Sequence, residues 1–100
     1  MLTIVQQRII ATLAKYGPMN LKTLMFRAKL GYDAKWQLKR LEEMGLLKVS
    51  WELGRSGSGS YVITLTSTGQ TIGEYLVEIQ SILSSMQAKQ YNKKRQILAQ

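Results

Sequence analysis

The residue types that do covalent or redox chemistry are missing: among the 100 residues there is no Cys and no His. Disulfides, thiolate nucleophiles, imidazole bases and the usual zinc, haem and iron–sulfur ligands are thereby excluded. Ser, Thr, Lys and six carboxylates remain, and no set of them is spaced as a nucleophile with its base and orienting partner. Glu74 and Glu78 stand one helical turn apart, with nothing in the sequence to orient or perturb them, so they read as surface charges. No enzyme, no cofactor and no metal is expected.

The chemistry that the composition favours is contact with a polyanion. Fourteen Lys and Arg against six Asp and Glu give a net charge of +8 and a pI near 10.0. That balance points to nucleic acid first and an acidic membrane surface second. The charge is uneven: net +7 over residues 1–41, −3 over 42–88 and +4 over 89–100. Trp36, Lys39, Arg40 and Glu43 fall on one face at helical spacing, with Lys35 flanking it and Lys22, Arg27 and Lys29 shortly before. Lys and Arg donate to phosphate or to guanine O6/N7, and Gln37 pairs with adenine provided that it is not turned inward. An ordinary solvated helix face is the bland alternative. Trp36 either packs on sugar and thymine methyl groups or folds back on neighbouring structure near Trp51. Arg55 stands with Ser56 and Ser58 in a Gly/Ser stretch, a composition that lets backbone approach phosphate and an Arg enter a narrow minor groove.

Periodicity supplies the elements that must position these groups. Thr3 with Gln6 is a capping-box pattern, followed by Ile4, Val5, Ile9, Ile10, Leu13 and Ala14 at helical spacing. Gly17-Pro18 ends that helix, with Gly17 as the left-handed cap. Asn20 caps a second helix whose inner stripe is Leu21, Leu24, Met25 and Ala28, and Asp33 caps a third from Ala34 to Met44 that buries Ala34, Leu38 and Leu41. The period then drops to two. Val49, Trp51 and Leu53, then Tyr61, Ile63 and Leu65, predict two half-buried strands around the turn chemistry of residues 54–60. Ser67 with Gln70 reads as a second capping box opening a long last helix. Three helices, a hairpin and a closing helix are a winged helix-turn-helix, mainly α with a β-hairpin in the α+β class.

On that last helix Ile72, Leu76, Ile79, Leu83 and Met86 step by four and three, a heptad seam widened by Tyr75 and Ile82. The stripe can pack on the first helix of its own chain or on a second copy. A helix of about 28 residues is about 40 Å long at 1.5 Å per residue, too long for one small domain to cover, which favours a homodimer. Residues 1–68 are expected to form the winged helix-turn-helix domain and 69–100 the coiled-coil dimerisation helix. The tail cations Lys89, Lys93, Lys94 and Arg95 read as a solvated helix end.

Two stretches carry a family resemblance. Leu24-Met25-Phe26-Arg27-Ala28-Lys29-Leu30-Gly31-Tyr32, followed by Leu38-Lys39-Arg40-Leu41-Glu42-Glu43-Met44-Gly45-Leu46-Leu47, resembles archaeal winged-helix DNA-binding domains. Leu65-Thr66-Ser67-Thr68-Gly69 is similar to the L-T-x-x-G that opens their last helix. The likeness extends to the small crenarchaeal chromatin-associated winged-helix proteins and covers roughly residues 4–88. It implies a protein that appends one long helix and dimerises through it while binding double-stranded DNA.

The expectation is a dimeric DNA-binding transcription regulator, its third helix in the major groove and its wing at the minor groove. An architectural chromatin protein of low sequence specificity is the near alternative. A winged-helix protein–protein interaction module is the alternative of another class, disfavoured because the outward face is basic. No run of 18 apolar residues suggests a membrane span. The first residues lack the cationic and apolar regions of a signal peptide, so a cytoplasmic, nucleoid-associated protein is expected.

Overall fold

The computed structural model describes the backbone of residues 1–99 and the side chains of residues 1–88. The tail cations Lys89, Lys93, Lys94 and Arg95 lie outside the described side chains. The elements run α1 (Ile4–Tyr16), β1 (Met19–Asn20), α2 (Leu21–Arg27), α3 (Ala34–Glu43), β2 (Leu47–Leu53), β3 (Gly59–Leu65) and α4 (Ser67–Ala99). This is an α+β winged-helix architecture.

Local rules explain most of the boundaries. The capping box at α1 is formed in full: Gln6 N donates to Thr3 Oγ1 at 3.1 Å, and Thr3 N donates to Gln6 Oε1 at 3.0 Å. Asn20 caps α2, its Oδ1 accepting from Thr23 N at 2.8 Å. Gly17 ends α1 at φ 85° and ψ −174°, positive in φ but outside the left-handed helical well expected of it. That extended ψ leads the chain directly into β1, which the periodicity did not reveal. Its two residues pair antiparallel with Val62 and Ile63, making the sheet three-stranded in the order β1-β3-β2. Two residues are too few to show a period.

Two caps differ from expectation. Asp33 makes no side-chain cap to α3; its Oδ2 instead accepts from Gln37 Nε2 at 3.1 Å. The Ser67–Gln70 box is replaced by Thr66, one residue earlier. Thr66 Oγ1 accepts from Gly69 N at 3.1 Å and donates to Gly45 O at 2.7 Å, while Gln70 reaches forward to Glu74. Thr66 N also donates to Leu46 O at 3.1 Å. One residue thus joins the end of β3, the turn after α3 and the start of α4.

Ile9, Ile10, Leu13, Leu24, Leu41, Leu47 and Ile63 are fully buried, so both early helices, α3 and the base of the hairpin share one core. Each such side chain contributes roughly 1.5–3 kcal/mol of transfer free energy. The first part of α4 lies against α1 where Gly73 allows close approach: a Cβ there would stand 2.5 Å from Ala14 Cβ. Ile72 and Leu76 pack against the core of their own chain. Tyr75, Ile79, Ile82, Leu83 and Met86 are exposed, so the heptad stripe is divided between an intramolecular part and an open part.

The hairpin also departs from the half-buried pattern expected. Pairs Leu47↔Leu65 and Val49↔Ile63 sit on the core, but Trp51↔Tyr61 and Leu53↔Gly59 on the same face run past it. Alternation is kept while the core ends beneath it, and the outer half of the hairpin projects as a wing.

Candidate nucleic-acid interface

The face of α3 follows from helical geometry and one buried hydrogen-bond relay. Ala34, Leu38 and Leu41 turn inward as expected, and Gln37 joins them. Gln37 Oε1 accepts from Gln6 Nε2 at 3.0 Å, and its own amide nitrogen is held by Asp33. The chain Thr3–Gln6–Gln37–Asp33 therefore fastens the start of α3 to the start of α1. With both amide ends engaged, Gln37 is not a base-reading residue; the sequence condition that it face outward is not met.

The opposite face presents Lys35, Trp36, Lys39 and Arg40, all exposed. The Arg40 guanidinium lies 5.0 Å from the Trp36 ring centroid, a cation–π pair at i and i+4. Trp36 is 57% exposed and does not fold onto the wing, where Trp51 has a different partner. Two carboxylates share this side of the helix: Glu42 lines the same cleft as Lys35 and Lys39 while its Oε2 accepts from Val49 N at 3.1 Å and ties α3 to β2, and Glu43 is exposed at the helix end. Lys35 and Lys39 line a cleft of about 280 Å³ together with Leu21, Val49 and Tyr61.

At the wing tip, Gly54 N donates to Ser58 O at 2.8 Å and Gly57 N to Gly54 O at 3.0 Å, closing a short turn that carries Arg55 outward. Ser56 Oγ donates to Ser58 Oγ at 3.3 Å, and both residues are exposed. Trp51 and Tyr61 meet edge-to-face on the inner side of the wing, with ring centroids 4.8 Å apart and planes at 73°.

Arg27 and Lys29 are not gathered with the α3 face. They line a separate crevice of about 350 Å³ with Arg8, Thr12, Lys15 and Tyr16 of α1 and Gln80 of α4. The Arg27 guanidinium lies 4.6 Å and the Lys15 ammonium 5.4 Å from the Tyr16 ring centroid. Arg8 and Lys15 join this crevice from the polar side of α1, a place that only their helical spacing signals in the sequence. Lys22 is at the start of α2, beside the wing. Of the cations named from the sequence, Arg27 and Lys29 thus lie apart from Lys35 and Lys39, whose cleft shares Leu21 and Tyr61 with the groove that Lys22 borders.

Among the described residues, no three acidic, His or Cys side chains group to hold a metal ion, and no helix is long and apolar enough to cross a membrane. The exposed arrangement offers hydrogen-bond donors on a helix and one on a hydrogen-bonded turn, which suits phosphates and base edges.

Comparison with known proteins agrees on the fold. No protein-family model and no curated protein matches the chain. Among solved structures it is similar to the transcriptional regulator PA4135, at 26% identity and a TM-score of 0.71, over 97% of this chain and 72% of that one. AbfR, solved in a disulfide-formed state, is similar at 25% identity and a TM-score of 0.67, over 97% and 71%. Lactococcus lactis ZitR in complex with DNA gives a TM-score of 0.77 at 21% identity, over 93% of this chain and 62% of that one.

Proposed function

We propose that the protein is a double-stranded-DNA-binding transcription regulator that acts as a homodimer, with α3 in the major groove and the 54–58 turn at the minor groove. The observation that carries this reading is the outward face of α3. Four exposed residues able to contact phosphate, base edge or sugar stand on a helix pinned to the core by the Gln6–Gln37 relay. The net charge of +8 supplies the long-range attraction that any DNA-binding surface needs. The likeness to PA4135, a transcriptional regulator, and to a ZitR structure that contains DNA supports the same reading. The open stripe Ile79, Ile82, Leu83 and Met86 supports the dimer, because exposed apolar rows on a long helix mark an unfilled contact. The site residues are Lys35, Trp36, Lys39 and Arg40 on α3, Lys22 on α2, and Arg55, Ser56 and Ser58 at the tip. Such a protein works on the nucleoid in the cytoplasm and is no enzyme.

Selection of bound fragments from a genomic pool by gel shift, with competitor DNA at stated salt, tests this. A shared motif among the selected fragments supports a regulator. Uniform recovery with a steep salt slope indicates instead the low-specificity architectural role of the archaeal chromatin proteins that the sequence resembles. No binding even at low salt overturns the reading.

A further inference from the structure

The inner face of the wing carries apolar area that the core does not use. Trp51 is 59% exposed, Tyr61 49% and Leu53 74%, all on the side of the hairpin whose next residues inward, Val49 and Ile63, pack on the core. A row of this kind on a projecting hairpin is unfavourable in water unless something covers it. The two rings are nevertheless held in place. Trp51 and Tyr61 are direct cross-strand partners, locked edge-to-face at 4.8 Å. Gly59 makes room for the indole, since a Cβ there would overlap Trp51 Cζ2. The rings border a groove of about 530 Å³ whose other wall is α2, with Leu21, Met25 and Lys22. Tyr61 also lines the neighbouring cleft with Lys35 and Lys39.

Rigid exposed rings between cations are the arrangement that captures bases by stacking while lysines follow the phosphates. Bases inside a duplex are stacked on one another and have no free face to offer. We infer that the Trp51–Tyr61 pair is a second nucleic-acid site, which takes unpaired bases of a single strand on rings that the duplex-binding face does not use, although the two share Lys22, Lys35 and Lys39. Lys22 in the groove, with Lys35, Lys39 and Glu42 in the neighbouring cleft, leaves a net positive balance that matches a polyanion better than a basic or neutral protein segment.

The test uses the full chain and end-labelled oligonucleotides read by fluorescence anisotropy at about 0.1 M salt, where exposed charges are partly screened. A thymidine dodecamer and an abasic strand of equal length share their phosphates and differ only in bases. The dodecamer is expected to bind about 5- to 150-fold tighter, the range of stacking on one base. Trp51→Ala and Tyr61→Ala should each remove most of that difference, and Tyr61→Phe should keep it. A uridine dodecamer in parallel separates a DNA preference from an RNA preference; tighter binding than to the abasic strand by either supports the site. Equal affinity of the unmodified protein for dodecamers and abasic strand overturns the inference, as does a difference that survives Trp51→Ala with an unchanged melting temperature. A blunt duplex measured alongside keeps the two proposals apart: intact duplex binding without base preference sinks only this one, and the reverse sinks only the regulator.

Discussion

Gln37 shows how one side chain divides the labour of a short helix. Its amide receives Gln6 Nε2 and donates to Asp33, so its removal leaves a buried donor without an acceptor. Gln37→Ala is expected to destabilise the protein by about 1–3 kcal/mol, seen as a fall in melting temperature of several degrees. A paired Gln6→Leu, Gln37→Leu variant should recover only part of it: the two buried amides leave together, but Thr3 N loses its acceptor on Gln6 and the capping box is halved. On the outward face the residues are not equivalent either. If α3 reads sequence, Lys35→Ala or Trp36→Ala should relax preference at particular base pairs by about 1–3 kcal/mol. Lys39→Ala or Arg40→Ala should weaken all sequences alike and lower the salt slope by about one unit per lost phosphate contact. A selection profile on the four variants checks this, and the stacked Trp36–Arg40 pair should show non-additivity in the double variant. The inward residues Ala34, Leu38 and Leu41 were legible from spacing, as were the caps at Thr3 and Asn20, whose partners lie three residues away. Gln37 was not, since its partner is 31 residues distant and no local rule connects them.

The elements repeat this contrast between local and distant causes. Helices α1 to α3 and both long strands were readable because their patterns repeat over a turn or more. The two-residue β1 was not, because it exists only by pairing with β3. The wing strands kept their period of two, yet alternation could not reveal where the core beneath them stops. Gly73 is a further case: nothing in the sequence around it signals that Ala14 stands opposite. Gly73→Val should push α4 away from α1, because even its Cβ would lie 2.5 Å from Ala14 Cβ and 3.2 Å from Ile10 Cγ2. A loss of about 1–3 kcal/mol is expected, the scale of overpacking in a close contact. Chemical denaturation measures it, and Ala14→Gly in the same chain should return part of the loss.

At the scale of the whole molecule, the longest dimension, 62 Å, follows from α4 extending beyond the body it covers. The heptad spacing announced that helix but could not divide it, since an apolar stripe reads alike whether it meets its own core or another chain. Leu76 packs at home, so Leu76→Lys should lower stability as well as any association. Leu83→Lys with Met86→Lys alters positions exposed in the single chain and should yield monomers whose melting temperature loses only the concentration-dependent part that association supplies, as light scattering and thermal denaturation at two protein concentrations will report. Dimers that persist in that variant would move the interface elsewhere. The Thr66 joint then acquires a mechanical meaning. With one residue between β3 and α4, and hydrogen bonds from it to Gly45 and Leu46, there is no slack between wing and helix. In the proposed two-fold pair each long helix would be the arm of a caliper. The angle at which the arms cross would set the spacing of two reading heads, which must match about 34–36 Å of duplex per helical turn. Whatever tilted one arm against the other would then retune which spacing of half-sites the proposed pair can grip.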